Sequence, residues 1–118
     1  MTVTNAGKAE VAELIIGSGT AFDSIAIGTG STNFAATSTQ LNNEYKRASA
    51  TCSNVTTDVA GDTAQFVHNF SITESKTITE AGVFNHASTG DMLLAQTFSG
   101  ISVSSGDSIQ ITAKCDVD

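Results

Sequence analysis

Residues 108–117 read Ser108-Ile-Gln-Ile-Thr-Ala-Lys-Cys-Asp-Val117. Ile109, Ile111, Ala113, Cys115 and Val117 alternate without exception with Ser108, Gln110, Thr112, Lys114 and Asp116. A period of two puts one set on each face of a β-strand, one towards a core and one towards water. Upstream, Ala64, Phe66, His68, Phe70 and Ile72 alternate with Gln65, Val67, Asn69, Ser71 and Thr73, and only Val67 breaks the binary pattern. Two such segments make this a β-protein with a half-buried sheet, and the rest of the chain is read outward from them.

Residues 76–85 form another strand, with Ile78, Ala81, Val83 and Phe84 as its apolar members. The apolar parity changes between Ile78 and Val83, and Gly82 lies in that interval, the composition of a bulge or a close backbone approach. A hairpin loop at 86–90 leads to a returning strand at 92–98, and 104–107 is a tight turn. Nearer the N-terminus, Tyr45 to Val55 reads as a strand, and Asp58 to Asp62 as a turn around Gly61. Residues 23–28 form a short strand ending at the pair Gly28 and Gly30. Residues 31–43 are a long polar loop with Phe34 and Leu41 as anchors. The one helix predicted spans 5–16: Asn5 as N-cap, Val11, Leu14 and Ile15 on one face, Gly17 as the stop. Twelve residues are too few for a stable isolated helix, so it must dock.

The expectation is one domain over 1–118: an extended arm at 1–4, a helix at 5–16 and strands within 23–117. Strands at intervals of about ten residues predict an all-β, antiparallel, jelly-roll-like β-sandwich with one short N-terminal α-helix. Its predicted core is Leu14, Ile25, Ile27, Phe66, Phe70, Ile72, Val83, Phe84, Leu94, Phe98, Ile109 and Ile111.

Composition excludes several functions. Five Lys+Arg against 12 Asp+Glu leave a formal charge of −7. One arginine, Arg47, and four dispersed lysines build no basic face for nucleic acid, and the charge disfavours anionic membranes. No apolar run approaches the roughly 18 residues of a membrane span. Ser and Thr make about a quarter of the chain, so hydroxyls rather than charges cover the strands. The start of the chain shows no signal-peptide apolar region, which implies synthesis and retention in a cytosol. There, Cys52 and Cys115 read as two small buried thiols, and their strand neighbourhood alone decides whether a disulfide is feasible.

Searching for chemistry returns little. Gly17-Ser-Gly19-Thr20 and Gly28-Thr-Gly30-Ser31 resemble phosphate cradles but lack the P-loop lysine and the third glycine of the dinucleotide fingerprint, so they read as turns. No serine lies in a nucleophile elbow. His68 falls on an apolar strand face, as a core residue; His86 falls in a hairpin loop, in water. Glu74 with Glu80 and Asp58 with Asp62 are the carboxylate pairs available for glycosidase chemistry, but they flank turns, where acidic residues serve solubility. Asp58 to Asp62 and Asp116 with Asp118 follow no calcium-loop spacing. Asn54-Val-Thr56 and Asn69-Phe-Ser71 match a glycosylation sequon by chance. No catalytic residue, metal ligand or cofactor is expected. The chain is expected to be no enzyme, and its business is surfaces.

Three stretches together resemble a family: Thr4-Asn-Ala-Gly7 opening the helix; Ile25-Ala-Ile-Gly-Thr-Gly30 followed by Leu41-Asn-Asn-Glu-Tyr-Lys-Arg47; and Ile78-Thr-Glu-Ala-Gly-Val-Phe-Asn85 with Met92-Leu93 and Thr97-Phe98 behind it. Their order is similar to that in small structural proteins of tailed bacteriophages, the head decoration (cement) proteins and the N-terminal domains of tail fibres. The resemblance implies a virion protein assembled in the host cytoplasm that binds the major capsid protein or other virion proteins, as a homo-oligomer, with a trimer favoured. It implies a capsid-surface cement role first and a tail, neck, baseplate or fibre-attachment role second. A third class, a carbohydrate- or receptor-binding sandwich, predicts a groove lined by Tyr45 or Phe34. The extended, β-branched start Met1, Thr2, Val3, Thr4 is the candidate partner-binding strand, joining a capsid sheet by β-augmentation.

Overall fold

The structure, a computed structural model, describes residues 1–117. Its elements are β1 (Thr2–Val3), α1 (Asn5–Ile15), β2 (Ser24–Gly28), β3 (Glu44–Ser49), β4 (Thr51–Val55), β5 (Thr63–Ser71), β6 (Lys76–Phe84), β7 (Met92–Val103) and β8 (Ser108–Asp116). Five strands form one sheet in the order β1-β7-β6-β2-β3, and three form another in the order β4-β5-β8. Every pairing is antiparallel. The chain is all-β with one N-terminal helix.

The β5–β6 and β7–β8 segments make one long ribbon. β5 pairs with β8 in the smaller sheet and β6 with β7 in the larger. The ribbon bends between sheets at 72–75 and 104–107, where Ile72 N–H donates to Asp107 O at 2.8 Å and Gly106 N–H to Ile72 O at 2.9 Å. A second bend divides the single strand expected over Tyr45–Val55. The chain leaves the larger sheet after Ser49 and enters the smaller one at Thr51, with Ala50 N–H held by Asp23 O at 2.8 Å. Alternation continues across such a corner, so the pattern cannot reveal it.

Between the sheets lie Ile25, Ile27, Phe66, Phe70, Ile72, Ile78, Ala81, Val83, Leu93, Leu94, Val103, Ile109 and Ala113. The other face of the larger sheet is buried too. Ala26, Leu41, Phe84, Met92 and Ala95 form a second apolar cluster, with Phe34 packed against it. The 29–43 loop covers this face through its two predicted anchors. β2 is consequently buried at all five residues. Of the predicted core, Leu14, Phe98 and Ile111 are only half-buried.

The helix docks differently from the prediction. Its N-cap is Thr4 rather than Asn5: the Thr4 hydroxyl accepts from Gly7 N–H at 2.9 Å and donates to Met92 O. Gly7 is the helix's one buried residue, and a Cβ there would lie 2.6 Å from Leu93 O. Backbone-to-backbone contact at Gly7 sets the docking, and two of the three apolar-face residues turn to solvent: Val11 is exposed and Ile15 is 80% exposed, whereas Leu14 is half-buried.

Candidate functional site

The three motif stretches converge on the outer face of the larger sheet. β6 pairs with β2 on one side and β7 on the other, and the β6–β7 register shifts between Ile78 and Glu80. Ile78 and Ala81, three residues apart, both face the inter-sheet core, which sends Glu80 to the opposite face. There its carboxylate, 0% exposed, accepts from Gly30 N–H at 3.0 Å, Asn42 N–H at 2.9 Å and Asn43 N–H at 2.8 Å. Glycine is required beside it. A Cβ on Gly28 would run into the Glu80 carboxylate and lie 2.5 Å from Asn43 O; one on Gly30 would lie 2.8 Å from Glu80 Oε2. Gly82 gives close approach to Leu41 and Met92, as its place in the pattern predicts.

Arg47 completes the cluster. Its guanidinium stacks 3.6 Å from the Phe84 ring centroid and bonds both Glu44 oxygens at 2.7 and 3.1 Å. It also donates to His86 O at 3.1 Å and Thr89 O at 2.7 Å, which ties β3 to the β6–β7 hairpin. A cleft of about 540 Å³ runs beside it, lined by Leu41, Asn43, Glu44, Arg47, Phe84 and Thr89 among others. Four of the arginine's five N–H donors are taken by the fold and its charge is paired with Glu44.

Of the two carboxylate pairs, Glu74 and Glu80 are kept apart, and Asp58 and Asp62 adjoin through the Asp58 backbone N–H within a turn. Glu80 is buried rather than solvating a turn, whereas Glu74 is exposed beside Lys76 at 3.7 Å. Asp62 accepts from Thr57, Asp58 and Val59 N–H at 2.8, 3.0 and 2.9 Å, which builds the β4–β5 turn and lowers its carboxyl well below the usual range. Among the described residues no group of three or more His, Cys, Asp or Glu is placed to hold a metal; Asp118 lies outside them. His68 packs edge-on against Phe70 at 4.6 Å and is half-buried. His86 is exposed as expected, and its Nδ1 accepts from Ser88 and Thr89 N–H at 3.1 and 3.2 Å.

Cys52 and Cys115 are free thiols. They sit on β4 and β8, on opposite sides of β5, so two inter-strand spacings of about 4.8 Å separate them, beyond disulfide reach. Cys52 is exposed rather than buried, and Cys115 half-buried. Desolvation raises both thiols, with Asp23 adding to Cys52 and Asp116 to Cys115, so neither is an activated nucleophile.

No family model matches the chain, and no curated protein or solved structure was found similar to it. The surface therefore carries the functional argument. The predicted partner strand is already engaged: Thr2 pairs with Ala95 and Val3 with Leu94, and Thr4 is fully buried as the helix cap. Thr4 is thus a fold residue, unavailable to a partner; Met1, 47% exposed, and the outer edge of β1 remain accessible. Tyr45 and Phe34 pack against opposite faces of the larger sheet, and Phe34 lines a cleft of about 490 Å³ with Met1, Thr2, Asn33, Gln96 and Thr97. Ile15 and Ile16, each 80% exposed, protrude at the end of α1; periodicity put Ile15 on the helix's apolar face and did not single out Ile16.

Proposed function

We propose that this chain is a non-enzymatic virion structural protein, a decoration protein that binds and stabilises the head shell of a tailed bacteriophage. The residues that carry the resemblance, Thr4, Gly7, Gly28, Gly30, Glu80 and Arg47, are spent on internal contacts. They support a shared fold rather than a shared site. The observation that carries the reading is the apolar helix end, where two isoleucines are held in water by a helix whose docking does not need them. Burying one such side chain stabilises a contact by about 1.5–3 kcal/mol.

Electron microscopy of intact particles tests this reading, with many symmetric copies over the head expected. A few copies confined to the tail would overturn the decoration role. In binding to undecorated expanded heads, the Ile15→Asp, Ile16→Asp double variant should stay folded and lose affinity at least tenfold. Deleting residues 1–4 would be a poor test, because it removes the helix cap along with β1.

A further inference from the structure

The two sheets part along one side of the sandwich. β4 leaves β5 after the pair Thr51 and Val67, so residues 68–71 of β5 have no strand beside them there, and β3, the edge of the larger sheet, reaches across to them. The mouth between the sheets is a cleft of about 530 Å³, lined by Lys46, Ala48, His68, Asn69, Phe70 and Ser71 among others. Lys46 and Ala48 stand opposite Ile27 and Ile25, which face the inter-sheet core, and directly opposed residues share a face. His68 lies between Phe66 and Phe70 in the alternation of β5. Each sheet thus sends an N–H-bearing side chain into the opening, at a position where the pattern asks for an apolar one. We propose that this mouth binds an oxyanion, the carboxylate of a sugar acid or a phosphate, through the Lys46 ammonium, the His68 ring and the Asn69 amide.

Internal contacts leave these groups donors to spare. Lys46 Nζ donates to Ser71 O at 2.6 Å, which holds the ammonium over the opening and leaves two of its three N–H donors. His68 meets Phe70 edge-on, and its ring nitrogens hydrogen-bond no described residue. A neutral imidazole keeps one N–H donor in either tautomer. The exposed Asn69 amide is likewise unbonded to any described residue. Ala48 and the buried Phe70 give the mouth an apolar wall on which the C–H groups of a sugar ring rest.

Charge points the same way. The chain carries −7, yet no Asp or Glu lines this cleft. The fold gathers cations that the sequence disperses: Lys46 and Lys76 approach the Tyr45 ring at 5.6 and 5.2 Å, and Arg47 lines the cleft, so three of the five Lys and Arg side chains stand at this end. The acidic groups near them are taken: Glu44 pairs with Arg47 at 2.7 Å and Glu74 with Lys76 at 3.7 Å. Lys46 has no carboxylate partner among the described residues. A hydrogen bond from an ammonium to an oxyanion is about twice as strong as a neutral one. The site does not depend on the decoration role, and either can fail without the other.

Titration of the nitrogen-15-labelled full chain with glucuronate, with inorganic phosphate and, as the neutral control, with glucose tests it by amide chemical shifts. Saturable shifts confined to Lys46, Ala48 and residues 68–71 are expected with at least one anion, the tighter of the two naming the source of the oxyanion, and none with glucose. Lys46→Met keeps the aliphatic stem and removes the charge; it should raise the dissociation constant at least tenfold with circular dichroism unchanged. His68→Phe, which completes the apolar pattern of β5, should stay folded and weaken binding at least threefold. Lys114→Met, at an exposed position on β8, should leave binding as it is. No shifts, shifts that fail to saturate or follow every lysine (an adventitious ion only), equal shifts with glucose, or an affinity indifferent to both Lys46→Met and His68→Phe would overturn the inference.

Discussion

A carboxylate shut away from water needs donors, and Glu80 finds three backbone amides of the loop that covers the larger sheet. Glu80→Gln keeps the shape but removes the charge and turns an amide N–H towards a donor. Hydrogen bonds to a charged group are worth about 1.5–3 kcal/mol each, and a mispaired buried donor costs a similar amount. We expect a loss of about 2–3 kcal/mol in urea denaturation; a change below about 0.5 kcal/mol would mean that the loop is held by Leu41 and Phe34 alone. Glu80 was not legible as a buried residue. A glutamate near a turn reads as solvent-facing, and only the register shift before it, with Gly28 and Gly30 distant in sequence, turns it inward. The glycines themselves were visible, but the atom they make room for was not.

At the scale of the element, the helix and the β4–β5 turn each rest on one residue. Alanine in place of a helical glycine ordinarily stabilises by roughly 1 kcal/mol. At Gly7 the sign reverses, because the new Cβ meets Leu93 backbone. Gly7→Ala should cost about 1–3 kcal/mol as an overpacked contact, read by chemical denaturation; a gain in stability would show that the helix docks loosely. Helix existence and position were legible from caps and periodicity, but its orientation was not. An apolar stripe normally marks the buried side, whereas here a side-chain-free residue sets the contact. The turn makes a pH prediction. Asp62 is lowered by the Val59, Thr57 and Asp58 amides, in that order. The folded state therefore holds its proton less tightly than the unfolded chain. The stabilisation is present above the unfolded carboxyl range near 4 and is lost as pH falls through the folded value. Asp62→Asn should melt below the wild type at pH 7 and approach it in strong acid; a constant offset at all pH values would assign the loss to geometry rather than charge. Asp91 behaves oppositely, raised by desolvation and then by Glu10. Its ionisation disfavours the fold as pH rises, and Asp91→Asn should lift Tm at pH 7 by about 1–2 °C, an effect absent at pH 3.

For the whole molecule, the clarity of a strand in the sequence and its depth in the fold run in opposite directions. β8, with unbroken alternation, is an edge strand of the smaller sheet, with one face on the core and one in water. β2, five residues with little alternation, is the most deeply buried strand, because a strand covered on both faces has no polar side to display. Alternation thus records one-sided burial. The all-β class and the inner core were legible from it, whereas the second apolar layer under the 29–43 loop and the five-to-three division were not. The same asymmetry orders the stability of the parts. β2 lies between β3 and β6, with the inter-sheet core on one side and Leu41 and Phe84 on the other. Opening it exposes both apolar layers at once, so its amides exchange only through global unfolding. β4, an edge strand with four of five residues exposed, opens locally at small cost. In native-state hydrogen exchange, Ile25, Ala26 and Ile27 should be the slowest amides and share one opening free energy equal to that of global unfolding. Cys52, Ser53 and Asn54 should exchange at least a hundredfold faster. β8, an edge strand with one face on the core, should fall between them. If β8 instead exchanged more slowly than β2, the smaller sheet would be the stable centre of the domain and the loop-covered face an appendage to it.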